Sequence, residues 1–196
     1  MKGFVFLARK AQITREMITE AAISVIREGG IENFSVRSVA AKLQCSTQPV
    51  LYYYDTVKEL KAAAYQRAAA FHTEYLLHPR SDKTDSLLAM GLNYIEFAKE
   101  EMYLFRFLFQ SGMILEHSLS EMITADDMVP VLDAMQKEMQ LSYEDTKKVF
   151  LTLALCVHGY ASLIANNSLA FDEAAIVSQL QHVYKGARLA LQDNRE

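Results

Sequence analysis

Apolar residues return every third or fourth position through almost the whole of this chain, and nowhere do they alternate as a strand requires. A chain written that way can only build helix against helix. Breakers are scarce, with 7 Gly and 3 Pro in 196 residues, so the helices should be many and their joints short. The spacing predicts helices over Ile13–Glu28, Val36–Leu43, Thr56–Leu77, Asp85–Glu101, Tyr103–Gln110, Asp126–Met139, Tyr143–Asn166 and Asp172–Gln192. Gly29-Gly30, His78–Asp82 and Ser111-Gly112 read as stops. Met113–Thr124 stays ambiguous between helix and loop.

The front of the chain is the most particular part. Thr14 can cap the first helix, and Thr56-Val57-Lys58-Glu59 is a capping box that opens the long fourth one. Between them lie helices too short to hold alone, so they must pack as one three-helix unit. The second and third, joined by Gln44-Cys45-Ser46, read as a helix-turn-helix. Ser46 stands at an N-cap position, and Pro49 falls in the first turn, where its missing N–H does no damage. Thr47 and Gln48 sit on that exposed turn, where a recognition helix meets base edges and phosphates. Tyr52, Tyr53 and Tyr54 divide by period: Tyr54 anchors inward, and Tyr52, with Tyr53 beside it, faces outward.

Charge supports a local binding surface. Residues 1–60 carry 8 Lys+Arg against 6 Asp+Glu, while the remainder carries 12 against 18. A mildly basic front on an acidic body suits an anionic partner at that end only. Two cysteines make no disulfide framework, and the reading is a reducing, cytoplasmic protein. The N-terminal apolar run lacks a signal-peptide cleavage pattern. Val149–Ala165 is short of the ~20 clean residues of a membrane span, so it reads as a buried core or dimer helix, with no membrane partner. The five histidines lack metal-ligand spacing, and no nucleophile elbow or phosphate-binding loop is present. Neither a cofactor, a metal nor a catalytic site is expected.

TREMITEAA (Thr14–Ala22), GGIENFSVRSVAAKL (Gly29–Leu43), STQPVLYYY (Ser46–Tyr54) and KEL (Lys58–Leu60) together resemble the DNA-binding domain of the TetR (tetracycline-repressor) family. The resemblance covers residues 14–64. It implies an all-α homodimer whose N-terminal helix-turn-helix binds a palindromic DNA operator. A larger helical domain would bind a small-molecule effector that weakens DNA binding. Matched by position, the DNA-facing residues are Ser35, Arg37, Ser46, Thr47, Gln48, Pro49, Leu51, Tyr52, Tyr53 and Lys58. Two departures lie in the turn, where Gln44 takes the place of the usual glycine and Cys45 that of the usual valine. The family's frequent lysine of the fourth helix falls at Val57. Adjacent Lys58 can stand in as the phosphate contact, or the register shifts by one.

Residues 1–55 then form the DNA-binding domain, with 1–12 as a flexible arm, and residues 56–196 the ligand-binding and dimerisation domain. Phe71, Tyr75, Tyr94, Phe97, Phe105, Phe109 and Met113 form an aromatic- and Met-rich set that either lines a pocket or fills the core. As a pocket it suits an apolar or aromatic effector. Two functions follow: a ligand-released dimeric repressor, or a helical small-molecule-binding protein or enzyme whose front no longer binds DNA.

Overall fold

A computed structural model describes residues 13–78, 85–114 and 118–193. The arm expected at residues 1–12 lies outside them, as does most of the break after His78. Among the described residues there are ten α-helices and no strand. The first four are α1 (Arg15–Gly29), α2 (Val36–Lys42), α3 (Thr47–Tyr53) and α4 (Val57–Leu76). The body holds α5 (Ser86–Glu100), α6 (Met102–Gln110), α7 (Leu119–Thr124), α8 (Val129–Met139), α9 (Tyr143–Asn167) and α10 (Glu173–Asp193).

Side-chain caps set most of the starts. Thr14 Oγ1 accepts the Met17 N–H at 3.3 Å, and Thr56 Oγ1 accepts the Glu59 N–H at 3.1 Å. The Glu59 carboxylate returns to the Asp55 N–H at 3.1 Å, one residue earlier than an ideal box. Ser35 and Ser38 cap each other across the start of α2. α1 ends where Gly30 takes φ 77°; a Cβ there would meet the Tyr103 ring at 3.2 Å. α4 is stopped by Asn93 of α5, whose side-chain amide donates to the carbonyls of Tyr75, Leu76 and His78.

The long helix expected over Asp126–Met139 is divided. A 3-10 turn covers Asp126–Met128, and α8 begins at Val129. Pro130 is the reason, because a residue without an N–H fits only the first turn of an α-helix. The ambiguous stretch before it contributes one short helix, α7.

A single apolar cluster runs from the front helices into the body. Ile18, Ala22 and Ile26 of α1, Val39 of α2 and Val50 of α3 pack with Leu60, Ala64 and Ala68 of α4, with Phe97 and Leu104 behind them and Ala161 of α9 beyond. Leu60, Ala64, Ala68, His72 and Leu76 recur every four residues as the buried stripe of α4. Its alanines let α1 approach closely. Arg15–Glu59 and Glu20–Arg67 brace that contact outside, and Arg27–Glu101 ties the end of α1 to the joint between α5 and α6. Exposed pairs of this kind add at most about 1 kcal/mol each, so they orient α1 more than they stabilise it.

α9 is the axis of the body, packed by α5, α8 and α10. By length and composition it is apolar enough to cross a membrane, yet it sits among other helices here. Only 33% of its most apolar stretch is buried within the chain.

Candidate functional site

The front unit presents one solvent-facing surface. Val50 is fully buried and seats α3 on α1 and α2. Tyr54 closes the helix from inside: it is buried, its hydroxyl lies 2.6 Å from Thr19 Oγ1, and the Arg15 guanidinium sits 4.7 Å over its ring. With those two residues inward, the helical period turns Gln48, Leu51 and Tyr52 to water. Tyr52 is 79% exposed, and Leu51 is 48% exposed. Tyr53 lies between, half-buried, with its ring edge-on to Tyr52 at 5.1 Å. Thr47 and Pro49 are half-buried on the first turn, and Ser46 is exposed at the N-cap. Its hydroxyl makes no capping bond, which leaves the start of α3 less satisfied than the sequence suggests.

Arg37 and Lys58 are exposed on either side of this surface. Neither has an ion-pair partner among the described residues. Lys61, one turn further along α4, has none either, whereas Arg15 and Lys42 of the front unit pair with Glu59 and Glu28. Ser35 is exposed as well, but its hydroxyl is occupied by the cap on α2. The turn itself holds Gln44 at φ 53°, in the left-handed region where glycine is easiest. Cys45 fills the next position, half-buried against the core.

The body contains a cavity of about 680 Å³ lined by residues of α4 to α10. That is within the ~300–1,000 Å³ of ordinary small-molecule sites. Its inner end is aromatic: Tyr65, His72, Tyr94, Phe109 and His158. Aliphatic side chains of α8, α9 and α10 complete the walls, among them Val131, Met135, Leu153, Val157 and Leu180. Tyr94 Oη lies 2.9 Å from His158 Nδ1. Phe105 stacks on the His158 ring at 5.7 Å and 30°. His72 is edge-on to Tyr94, Phe97 and Phe109, with centroids 4.8–5.2 Å away. Burial pushes His72 down to about 3 and lowers His158, while it raises the Tyr94 phenol. All three are neutral near pH 7.

Of the seven residues expected to line a pocket, Tyr94 and Phe109 do so. Phe97 and Phe105 are fully buried one layer behind, against His72 and His158. Phe71 and Tyr75 are half-buried against Phe97 rather than on the cavity: Arg27 covers the Phe71 ring at 4.9 Å, and the Tyr75 hydroxyl donates to Glu100 at 2.7 Å. Met113 packs against the front cluster. Sequence reasoning missed His72, His158 and the aliphatic wall. For His72 a signal existed, since it falls in the four-residue stripe of α4. For the aliphatic wall none did, because apolar residues of a core and of a cavity have the same periodicity. No cluster of three or more His, Cys, Asp or Glu suited to a metal occurs among the described residues.

No protein-family model matches this sequence, and no curated protein matches it. Solved structures do. A TetR-family member from Streptomyces coelicolor A3 shares 19% identity and a TM-score of 0.56, over 86% of this chain and 96% of that one. The multidrug binding protein EbrR in complex with ethidium gives 16% identity and 0.56, over 86% and 96%. A TetR-like transcriptional regulator from Rhodococcus sp. RHA1 gives 16% and 0.53, over 88% and 96%. At these identities the likeness is one of fold, and it extends over both the front unit and the helical body. The chain therefore has the fold of the TetR-family regulators.

Proposed function

We propose that this protein is a dimeric transcriptional regulator, not an enzyme: a repressor that leaves its palindromic operator when a small apolar or aromatic molecule fills the cavity. The observation that carries the reading is the unpaired state of Arg37 and Lys58 beside the exposed Tyr52. Arg15 and Lys42 of the same front unit are neutralised by Glu59 and Glu28, while Arg37 and Lys58 have no ion-pair partner among the described residues and are left for an outside anion. DNA phosphates are that anion, and Thr47, Gln48 and Leu51 then reach the groove.

Dimerisation is supported by an unpartnered face. Leu155, Gly159 and Leu163 recur every four residues on α9, with the two leucines 56% and 50% exposed. Gly186 and Leu189, three residues apart, share a face of α10, where Leu189 is 51% exposed. A Cβ at Gly159 or Gly186 would meet nothing within 4 Å. Two such faces pair as a four-helix bundle between subunits.

α4 supplies the link. Its first turn adjoins α3, and its last turns bring His72, Thr73 and Leu76 to the cavity. In the dimer the recognition helices must stand ~34 Å apart. A ligand that binds a tilted α4 more tightly than the DNA-competent one changes that separation. A coupling of about 1–3 kcal/mol is the usual scale, and it is reciprocal.

The test is fluorescence anisotropy on a duplex selected from a randomised pool. Binding should fall steeply with salt, and Arg37→Ala should lower the log–log salt slope by about 1 per subunit that loses a phosphate contact. Tyr52→Phe should weaken binding with the slope unchanged. If no duplex is selected, or both variants bind as the parent does, the DNA-binding reading is wrong.

A further inference from the structure

We propose that the cavity selects an uncharged, largely apolar molecule whose one polar group bonds to the Tyr94–His158 pair, and that it rejects cations and anions of the same shape. This deepens the effector reading above and rests on it.

Charge is the first ground. Among the described residues no Lys or Arg lines the cavity. Asp85, the one lining carboxylate among the described residues, is exposed, and its Oδ1 already accepts the N–H groups of Leu87 and Leu88. The two lining histidines have burial against their charged forms. A ligand charge carried inward would meet no counter-ion among the described lining residues, and partly burying an unpaired charge is unfavourable.

The second ground is the pair itself. The Tyr94 hydroxyl and His158 Nδ1 share one hydrogen bond. His158 Nε2 has no partner among the described residues. When Tyr94 donates, Nε2–H remains as a donor and the phenol oxygen as an acceptor. When Nδ1–H donates, the phenol O–H remains as the donor and Nε2 as the acceptor. Either way the pair offers one of each. Phe105 stacked on His158, with His72 edge-on to Tyr94, holds both rings in place, so the pair is preorganised. A hydroxyl, phenol or amide can use both positions, while a hydrocarbon leaves both unused.

The neutral dye Nile red serves as the fluorescent probe. Four competitors of one shape displace it: 2-naphthol, 2-methylnaphthalene, 2-naphthoate and 2-naphthylmethylammonium. Naphthol should bind about ten-fold tighter than methylnaphthalene, the size of one good hydrogen bond. Both ions should bind more weakly than methylnaphthalene. The double variant Tyr94→Phe, His158→Phe, which removes both members of the pair and keeps both rings, should shrink the naphthol advantage to under about three-fold and leave methylnaphthalene little changed. Gln181→Glu, at an exposed rim position that cannot disturb the core, should improve the ammonium compound several-fold.

An ion that competes as well as naphthol, a hydroxyl that brings no advantage, or a dye that does not bind would each overturn the inference. Selective naphthol binding with operator affinity unchanged at saturation leaves it standing and removes only the effector reading.

Discussion

Gln44 holds φ 53° in the turn between α2 and α3. A side chain in the left-handed region costs about 1–2 kcal/mol, partly offset because glycine loses more entropy on folding. Gln44→Gly should raise the unfolding free energy by roughly 0.5–1 kcal/mol, read from the urea midpoint at constant m-value. A fall would mean that the glutamine side chain contributes contacts beyond its backbone. His72 acts in the other direction. Folded, it titrates at about 3; unfolded, near 6.5. Between those values the unfolded chain holds a proton that the folded chain refuses, so stability falls as pH drops through the window, by about 1.4 kcal/mol per unit. His72→Phe keeps a ring among rings and removes that loss. Between about pH 7.5 and pH 5 the variant should gain roughly 2 kcal/mol on the parent. An unchanged difference would place His72 in contact with water. The outward Tyr52 and inward Tyr54 were legible in the sequence because a helical period is local. The stripe of α4 marked His72 as inward, but not that it borders a cavity, because the opposite wall comes from α8, α9 and α10.

Among the elements, α5 and α6 carry residues that look alike in sequence and differ in place. Tyr94 and Phe109 meet the cavity, while Phe97 and Phe105 lie in solid packing. Phe97→Ala should cost about 3–5 kcal/mol of stability, as loss of a packed ring does. Tyr94→Phe should cost far less, since the ring stays. Thermal or urea unfolding of the two variants separates them; similar losses would mean that Tyr94 is as much core as Phe97. Helix number and most boundaries followed from period and caps. Pro130 moved one boundary, and the division of an apolar set into lining and filling depends on how far apart the helices stand, which no period records.

For the whole molecule, the exposed apolar faces of α9 and α10 predict that the protein is a dimer at micromolar concentration. Leu155→Glu with Leu163→Glu places like charges across the pairing face and should yield a monomer by light scattering, with far-ultraviolet dichroism preserved. A parent that is itself monomeric would exclude this face as the interface. DNA affinity should fall with the dimer, because one half-site alone holds about half the phosphate contacts. This face was legible only in part. The sequence marked both helices as apolar, and the structure separates the turns they bury from those they leave open.

Ile18 and Ile26 of α1 share one apolar cluster with Phe97 and Leu104 of the body and with Ala161 of α9. The consequence concerns how such a protein melts and how it can be divided. Its front is not a detachable module. A fragment ending near residue 56 would leave those isoleucines facing water and should be unstructured. A hybrid that grafts this front onto another body must bring α4 and α6 along, or resculpt the surface beneath. Calorimetry of the intact chain should then show one endotherm, with the front helices and the cavity-bearing body lost at the same temperature.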